Sequence, residues 1–185
     1  TVWNADTDWQ DEMFQTGFLT NNTVSITASG DRSKFYLGLG YVMEEGSIKS
    51  EKLNKFTVNL HSEHKVTDFL RFGFQVNGVR ALYPDAKGVG SALKAAPIAP
   101  VYDTESGLLH TLPDFQRAQV WNPMIEPVLR GAHNKSANYR MAGNIYGELD
   151  LMKNLTFKAT FSLDYASSQS RSYSPLIYVY NPDVE

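Results

Sequence analysis

The sequence predicts an all-β fold: an antiparallel meander of about six long strands forming part of a transmembrane β-barrel. Three observations carry that prediction. Strand-length stretches alternate apolar and polar residues with period 2. Within those stretches the apolar parity holds no Asp, Glu, Lys or Arg. The connections are short at every second junction and long between them, the layout of an outer-membrane barrel.

The strands run in order along the chain. Residues 22–30 set Val24, Ile26 and Ala28 against Thr23, Ser25 and Thr27, and residues 34–43 set Phe35, Leu37, Leu39, Tyr41 and Met43 against Lys34, Tyr36, Gly38 and Gly40. The stretch KFTVNLHSEHKVTDFLRFGFQVNGV, residues 55–79, reads as a hairpin. Its apolar side carries Phe56, Val58, Leu60, Leu70, Phe72, Phe74 and Val76, and its wet side Thr57, Asn59, His61, Glu63, Arg71, Gln75 and Asn77. Residues 138–151 place Tyr139, Met141, Ile145, Leu149 and Leu151 opposite Arg140, Asn144, Tyr146, Glu148 and Asp150. Residues 155–166 place Leu155, Phe157, Phe161, Leu163 and Tyr165 opposite Lys158, Ser162 and Asp164. Each strand spans about 9–14 residues, longer than the usual 5–6 of globular sheets.

Short turns fall at 29–33, 65–69 and 151–154. The organisation expected is an outer loop segment over 1–19 and four barrel strands over 20–80 with an outer loop at 44–54. A long outer loop over 81–134, two barrel strands over 135–170 and the start of a further loop over 171–185 complete it. The long loop holds six of the eight prolines, which predicts an ordered but irregular path, with a short helix within 88–96 ending before Pro97. A β-sandwich would alternate in the same way, with its oily face as a core. Lipid is favoured by the length of the uncharged face and by Tyr41, Tyr139 and Tyr165 near strand ends, where an interfacial girdle lies. A midplane charge there would cost about 2–4 kcal/mol.

Composition narrows the function classes. Net charge is −3, giving no reason to expect nucleic acid, and there is no cysteine for a disulfide or thiolate site. No apolar run approaches the roughly 20 residues of a spanning helix. The opening TVWNADTDWQDE has neither the basic start nor the apolar core of a signal peptide, so the chain reads as processed or as an internal piece of something longer. No nucleophile–base pair and no phosphate-binding loop stands out, so no enzyme and no cofactor are expected.

The linked motifs TDWQDEMFQTGF (7–18), VSITASGDRSKFYLGLGYVMEEGSIK (24–49) and HKVTDFLRFGFQVN (64–77) resemble the SusC/RagA family of TonB-dependent outer-membrane transporters. AAPIAPVYDTESG (95–107) and WNP (121–123) resemble the proline-rich loop such transporters carry after that hairpin; Phe69 stands where the family has Trp. The resemblance runs in order from 7 to about 170. It implies a 22-stranded barrel with an N-terminal plug, located in the cell outer membrane. It further implies nutrient uptake with a SusD-like surface lipoprotein as lid, and energy delivered by TonB through the plug. Six strands without a plug would be a piece of the wall, unable to transport alone.

Import needs contacts rather than covalent catalysis. Tyr83, Tyr102, Trp121 and Asn122 in the long loop are the candidate contacts for a glycan or peptide substrate, with packing of the loop as their alternative use. Arg71, Gln75, Asn77, Arg140, Asn144 and Glu148 are expected to face the lumen, with the opposite parity on outer-membrane lipid. Trp9 reads as a structural anchor. Asp6, Asp8, Asp11 and Glu12 lack the spacing and glycine of a calcium loop and read as a solvated surface. His61 and His64 fall on opposite strand faces and cannot readily share one ion. The rival functions are a passive porin-like channel and a soluble β-sandwich binding module.

Overall fold

The computed structural model describes residues 3–84, 89–130, 134–173 and 176–183. In chain order its elements are α1 (Trp9–Met13), β1 (Phe18–Ser29), β2 (Ser33–Glu45), β3 (Lys52–Lys65), β4 (Leu70–Pro84), α2 (Val89–Ala92), β5 (Leu109–His110) and α3 (Asp114–Arg117). A π-helical turn (Ile125–Arg130), β6 (Lys135–Met152), β7 (Leu155–Arg171) and β8 (Val179–Tyr180) follow.

The six long strands form one sheet in the order β1-β2-β3-β4-β6-β7, antiparallel at every step. A one-residue slip at any step would swap the faces, so register is where the alternation is tested. Apart from one register shift between Asp150 and Met152 at the third turn, the pairing keeps parity: Ile26, Leu37, Leu60, Val76, Gly143 and Leu163 share one rung, and Ala28, Phe35, Ser62, Phe74, Ile145 and Phe161 the next. The oily faces of the separate strands thus merge into one continuous surface. It is uncovered: Ile145 is 62% exposed, Phe157 59% and Phe161 71%. A sandwich would need a second large sheet over this face; the other sheet among the described residues, β5-β8, has only two residues per strand.

The strands run longer than the hydropathy pattern suggests, from 12 residues in β1 to 18 in β6. Backbone pairing continues where apolar side chains stop, because the ladder's hydrogen bonds are indifferent to side-chain polarity. The extension brings charges onto the apolar parity: Glu45, Lys52, Arg80, Lys135 and Arg171. All of them lie at or beyond the rung of Tyr41, Phe56 and Tyr139. Arg80 shares that rung and rests its guanidinium 5.8 Å from the Tyr139 ring centre. The charge-free band is real but ends there, where long cationic side chains can reach headgroups.

The register also fixes the strand tilt. The first short turn centres between Asp31 and Arg32, the second on Asp68 and the third between Lys153 and Asn154. Carried across the Phe35–Ser62–Phe74–Ile145–Phe161 rung, each turn lies about two residues lower than the one before, about 4.5 residues over four strand spacings. With about 3.4 Å per residue and about 4.8 Å between strands, the three turns share a plane when the strands tilt by about 40°. That is the tilt of a barrel wall.

The chain's buried core lies in the loops. Trp9, Met13, Ala92, Ala99, Leu109, Leu112, Val120, Met124 and Ile125 cluster together with 6% exposure or less. Asp8 starts α1 by accepting from the N–H groups of Gln10 and Asp11, which turns Trp9 and Met13 inward. The Trp9 indole N–H donates to the Ala96 carbonyl at 2.9 Å, so the first segment is fastened to the long loop. The helix expected within 88–96 is only Val89–Ala92, and Gly88 lies outside the described residues. It stops because Gln116 takes both the Ala96 N–H (2.8 Å) and the Lys94 carbonyl (2.7 Å).

Candidate functional site

The polar face of the sheet is organised in tiers. Nearest the short turns is a charged tier with Glu63 and Glu148 at its centre. Glu63 accepts from the Tyr146 hydroxyl at 2.7 Å, with Lys34 at 3.9 Å and His61 at 3.7 Å. Glu148 pairs with Lys158 at 2.7 Å and Arg71 at 3.6 Å, and Arg71 also reaches Asp150 at 3.3 Å. The Lys158 ammonium lies 4.6 Å from the Tyr146 ring centre. Space for that ring is made by Gly73, where an added Cβ would fall 2.5 Å from Tyr146 Cζ. Half-exposed pairs of this kind contribute little each, but together they hold long side chains in fixed places.

Above this tier the wall carries neutral amides. Asn59 pairs in register with Asn77, and Gln75 with Asn144. Higher again, Arg140 forms a two-point ion pair with Asp164, 2.6 Å at its shorter contact. Arg71, Gln75, Asn77, Arg140, Asn144 and Glu148 therefore all occupy the face opposite the apolar one. His61 shares that polar face, whereas His64 lies on the apolar face, 5.0 Å from the Phe72 ring and 2.9 Å from the Ser62 hydroxyl. Among the described residues no group of three or more His, Asp or Glu side chains is placed to hold a metal. Of the acidic cluster, Asp8 is the α1 cap and Glu12 faces Lys49 at 3.8 Å.

The loop candidates separate. Trp121 is 66% exposed, Tyr102 44% and Tyr83 42%, so each offers an aromatic face. Tyr83 stands apart at the head of β4, opposite Ser136. Asn122 corrects the expectation: it is 3% exposed and its amide is committed within the chain. It donates to the carbonyls of Val101 (3.0 Å) and His110 (2.8 Å) and accepts from the Met124 N–H (2.9 Å). Its bonds brace the backbone between Val101 and Met124. The Tyr102 segment is shaped by a tight turn in which Asp103 accepts from the backbone N–H and hydroxyl of Ser106, both at 2.7 Å. Those bonds hold the Asp103 carboxyl below its ordinary range, and Gly107, at φ +69°, supplies the left-handed residue that closes the turn.

Sequence reasoning missed the parallel pairing of β5 with β8, which ties the long loop to the chain's last described segment. His110 on β5 is 2% exposed, its ring 5.0 Å from Trp3 and 5.2 Å from Tyr180, with Nδ1 donating to the Thr111 carbonyl. Two-residue strands have no periodicity to detect. The apolar run Leu108, Leu109 around His110 and before Leu112 was the available signal that this loop carries a core.

No family model matches the chain. The chain is 26% identical over 92% of its length to TonB-dependent receptor P3 of Formosa agariphila. It is 30% identical to TonB-dependent receptor SusC of Bacteroides thetaiotaomicron over 55% of its length. The RagAB peptide importer in its closed-closed state superposes on 97% of the chain with a TM-score of 0.74 at 18% identity, which shows the fold. The chain is therefore similar to TonB-dependent receptors, SusC among them, and shares its fold with a stretch of RagAB. It spans 18% of the P3 receptor, 10% of SusC and 21% of the RagAB chain. The sheet turns its amides and ion pairs to one side and its uncharged band to the other.

Proposed function

We propose that this SusC/RagA-type chain forms part of the wall and outer loops of an outer-membrane importer for oligosaccharide or oligopeptide. In this reading it works with a SusD-like surface lipoprotein as lid, and TonB acts through a plug domain carried elsewhere in the protein. It is a transporter, not an enzyme. The observation that carries the reading is the one-sided sheet. On β7, Phe157 and Tyr165 stand eight positions apart, about 21 Å along the membrane normal at the derived tilt. That is close to the roughly 25 Å apolar band of outer-membrane barrels. The segments before β1, between β2 and β3, between β4 and β6 and after β7 then lie outside the cell, where a shared core packs them into a cap. Tyr102 and Trp121 are its solute-facing aromatics, with Tyr83 below them at the head of β4.

Cell fractionation with an antibody to the 81–134 loop tests this. The expected result is a detergent-extracted outer-membrane protein several times longer than this chain, co-purifying with a lipoprotein. Recovery in the soluble fraction would overturn it. A porin-like channel is separated by uptake: an importer loses uptake when TonB is deleted, and a passive channel does not.

A further inference from the structure

Three cations at the outer end of the apolar face have no acid to match them. Lys52 faces Glu45 in register and pairs with it at 3.0 Å. Arg80 on β4, Lys135 on β6 and Arg171 on β7 are exposed, and none of them forms an ion pair among the described residues. The wet face differs: its cations Lys34, Arg71, Arg140 and Lys158 all meet carboxylates. Lys135 and Arg171 are also direct cross-strand partners on one face. Like charges set opposite each other repel, so this pairing is unfavourable until an anion lies between them. Arg80 pairs with Tyr139, four residues inward of Lys135, which is about 10 Å along the membrane normal at the derived tilt. The Arg80 guanidinium at the Tyr139 ring and the long side chains of Lys135 and Arg171 therefore bracket the headgroup layer from below and above.

A notch opens in the apolar band beneath them. Gly143 pairs with Val76 and Leu163 and brings no side chain, leaving a hollow of about 170 Å³ edged by Met141, Ile145 and Phe161. It lies four residues inward of Tyr139, about 10 Å deeper along the normal. We propose that the unmatched cations and this notch together seat one phosphorylated lipid of the outer leaflet. Its phosphate lies between Lys135 and Arg171 with Arg80 beneath, and one acyl chain fills the notch at Gly143. Charge selects this occupant: a neutral lipid would leave three cations unmatched, and a soluble anion would leave the notch empty. The inference goes beyond import, but rests on the reading that places the apolar face in lipid.

The full-length protein in detergent is incubated with dipalmitoyl phosphatidic acid, with dipalmitoylglycerol or with glycerol 3-phosphate, and retained molecules are counted by native mass spectrometry. The first carries phosphate and chains, the second chains alone and the third phosphate alone. Phosphatidic acid is expected to be retained, and the other two to bind at least tenfold more weakly. Lys135→Ser should weaken retention about fivefold, and Lys135→Ser with Arg171→Ser roughly 25-fold, so that the double variant loses one bound lipid. Arg171→Lys keeps the charge and should retain it. Lys153→Ser, a cation at the opposite end of the wall, should change nothing. Heat-modifiable gel mobility confirms that each variant is folded. An unchanged lipid count in the double variant, equal retention of dipalmitoylglycerol, or equal binding of glycerol 3-phosphate would each overturn the assignment, the last making it a site for free anions. Cell fractionation reads the outer-membrane placement separately, so an outer-membrane protein indifferent to the double variant loses only the lipid seat.

Discussion

An arginine scan down β7 tests the lipid-facing assignment by depth as well as by face. Phe161 lies midway between Phe157 and Tyr165, about 10 Å from each along the membrane normal at the derived tilt. It is 71% exposed in this chain and pairs with Ile145, so little protein crowds it. Phe161→Arg puts a cation at the midplane and should cost about 2–4 kcal/mol, roughly 30-fold to nearly 1000-fold in the folded-to-unfolded ratio. Tyr165→Arg, at the girdle, should cost about 0–1 kcal/mol. Ser162→Arg, one residue from Phe161 but on the wet face, should be close to neutral. The assay is urea unfolding of the full-length protein from vesicles, read by heat-modifiable gel mobility. Equal damage from Phe161→Arg and Tyr165→Arg would indicate a protein core rather than a bilayer. Equal damage from Ser162→Arg would mean that the faces are misassigned.

Other expectations rest on single contacts. Met13→Ala, at 0% exposure in the loop core, should cost about 2–5 kcal/mol. It should make the outer loops protease-sensitive while the heat-modifiability of the barrel persists. Gly73→Ala should expel the Tyr146 ring and break its bond to Glu63, for about 1–2 kcal/mol; Tyr146→Ala in the same background should recover much of that in a double-mutant cycle. Asn122→Leu should loosen the 101–124 segment by removing the amide's bonds to the Val101 and His110 carbonyls and to the Met124 N–H, visible as faster hydrogen exchange. The Asp103 carboxyl is depressed by its bonds to Ser106. The turn's stabilisation is therefore full above the unfolded value of about 3.9 and is lost only as pH falls through the lower folded value. Proteolysis at Glu105 should stay slow at pH 5, and melting of the turn between pH 7 and 5 would contradict this.

Much of the wall was legible because barrel strands answer to one local rule. Each side chain meets either lipid or an aqueous lumen, so period-2 hydropathy reports its surroundings directly, and Phe74 and Gln75 declare their faces unaided. Strand ends were less legible. Lys135–Ala137 and Ser167–Arg171 continue β6 and β7 by backbone bonds alone, which leave no trace in polarity. The loops were read least well, since burial there depends on partners far away in sequence. Asn122 and Trp121 are neighbours with similar prospects on paper. Only the tertiary structure buries the first under the carbonyls of Val101 and His110 and leaves the second on the surface. Likewise Lys135 and Arg171 look like ordinary strand-end residues until the pairing of β6 with β7 sets them side by side. Sequence by itself determined which side of each strand is oily, because that is set by nearest neighbours along the chain. Register, tilt and the paired cations were decided by the fold, because they depend on which distant backbones meet.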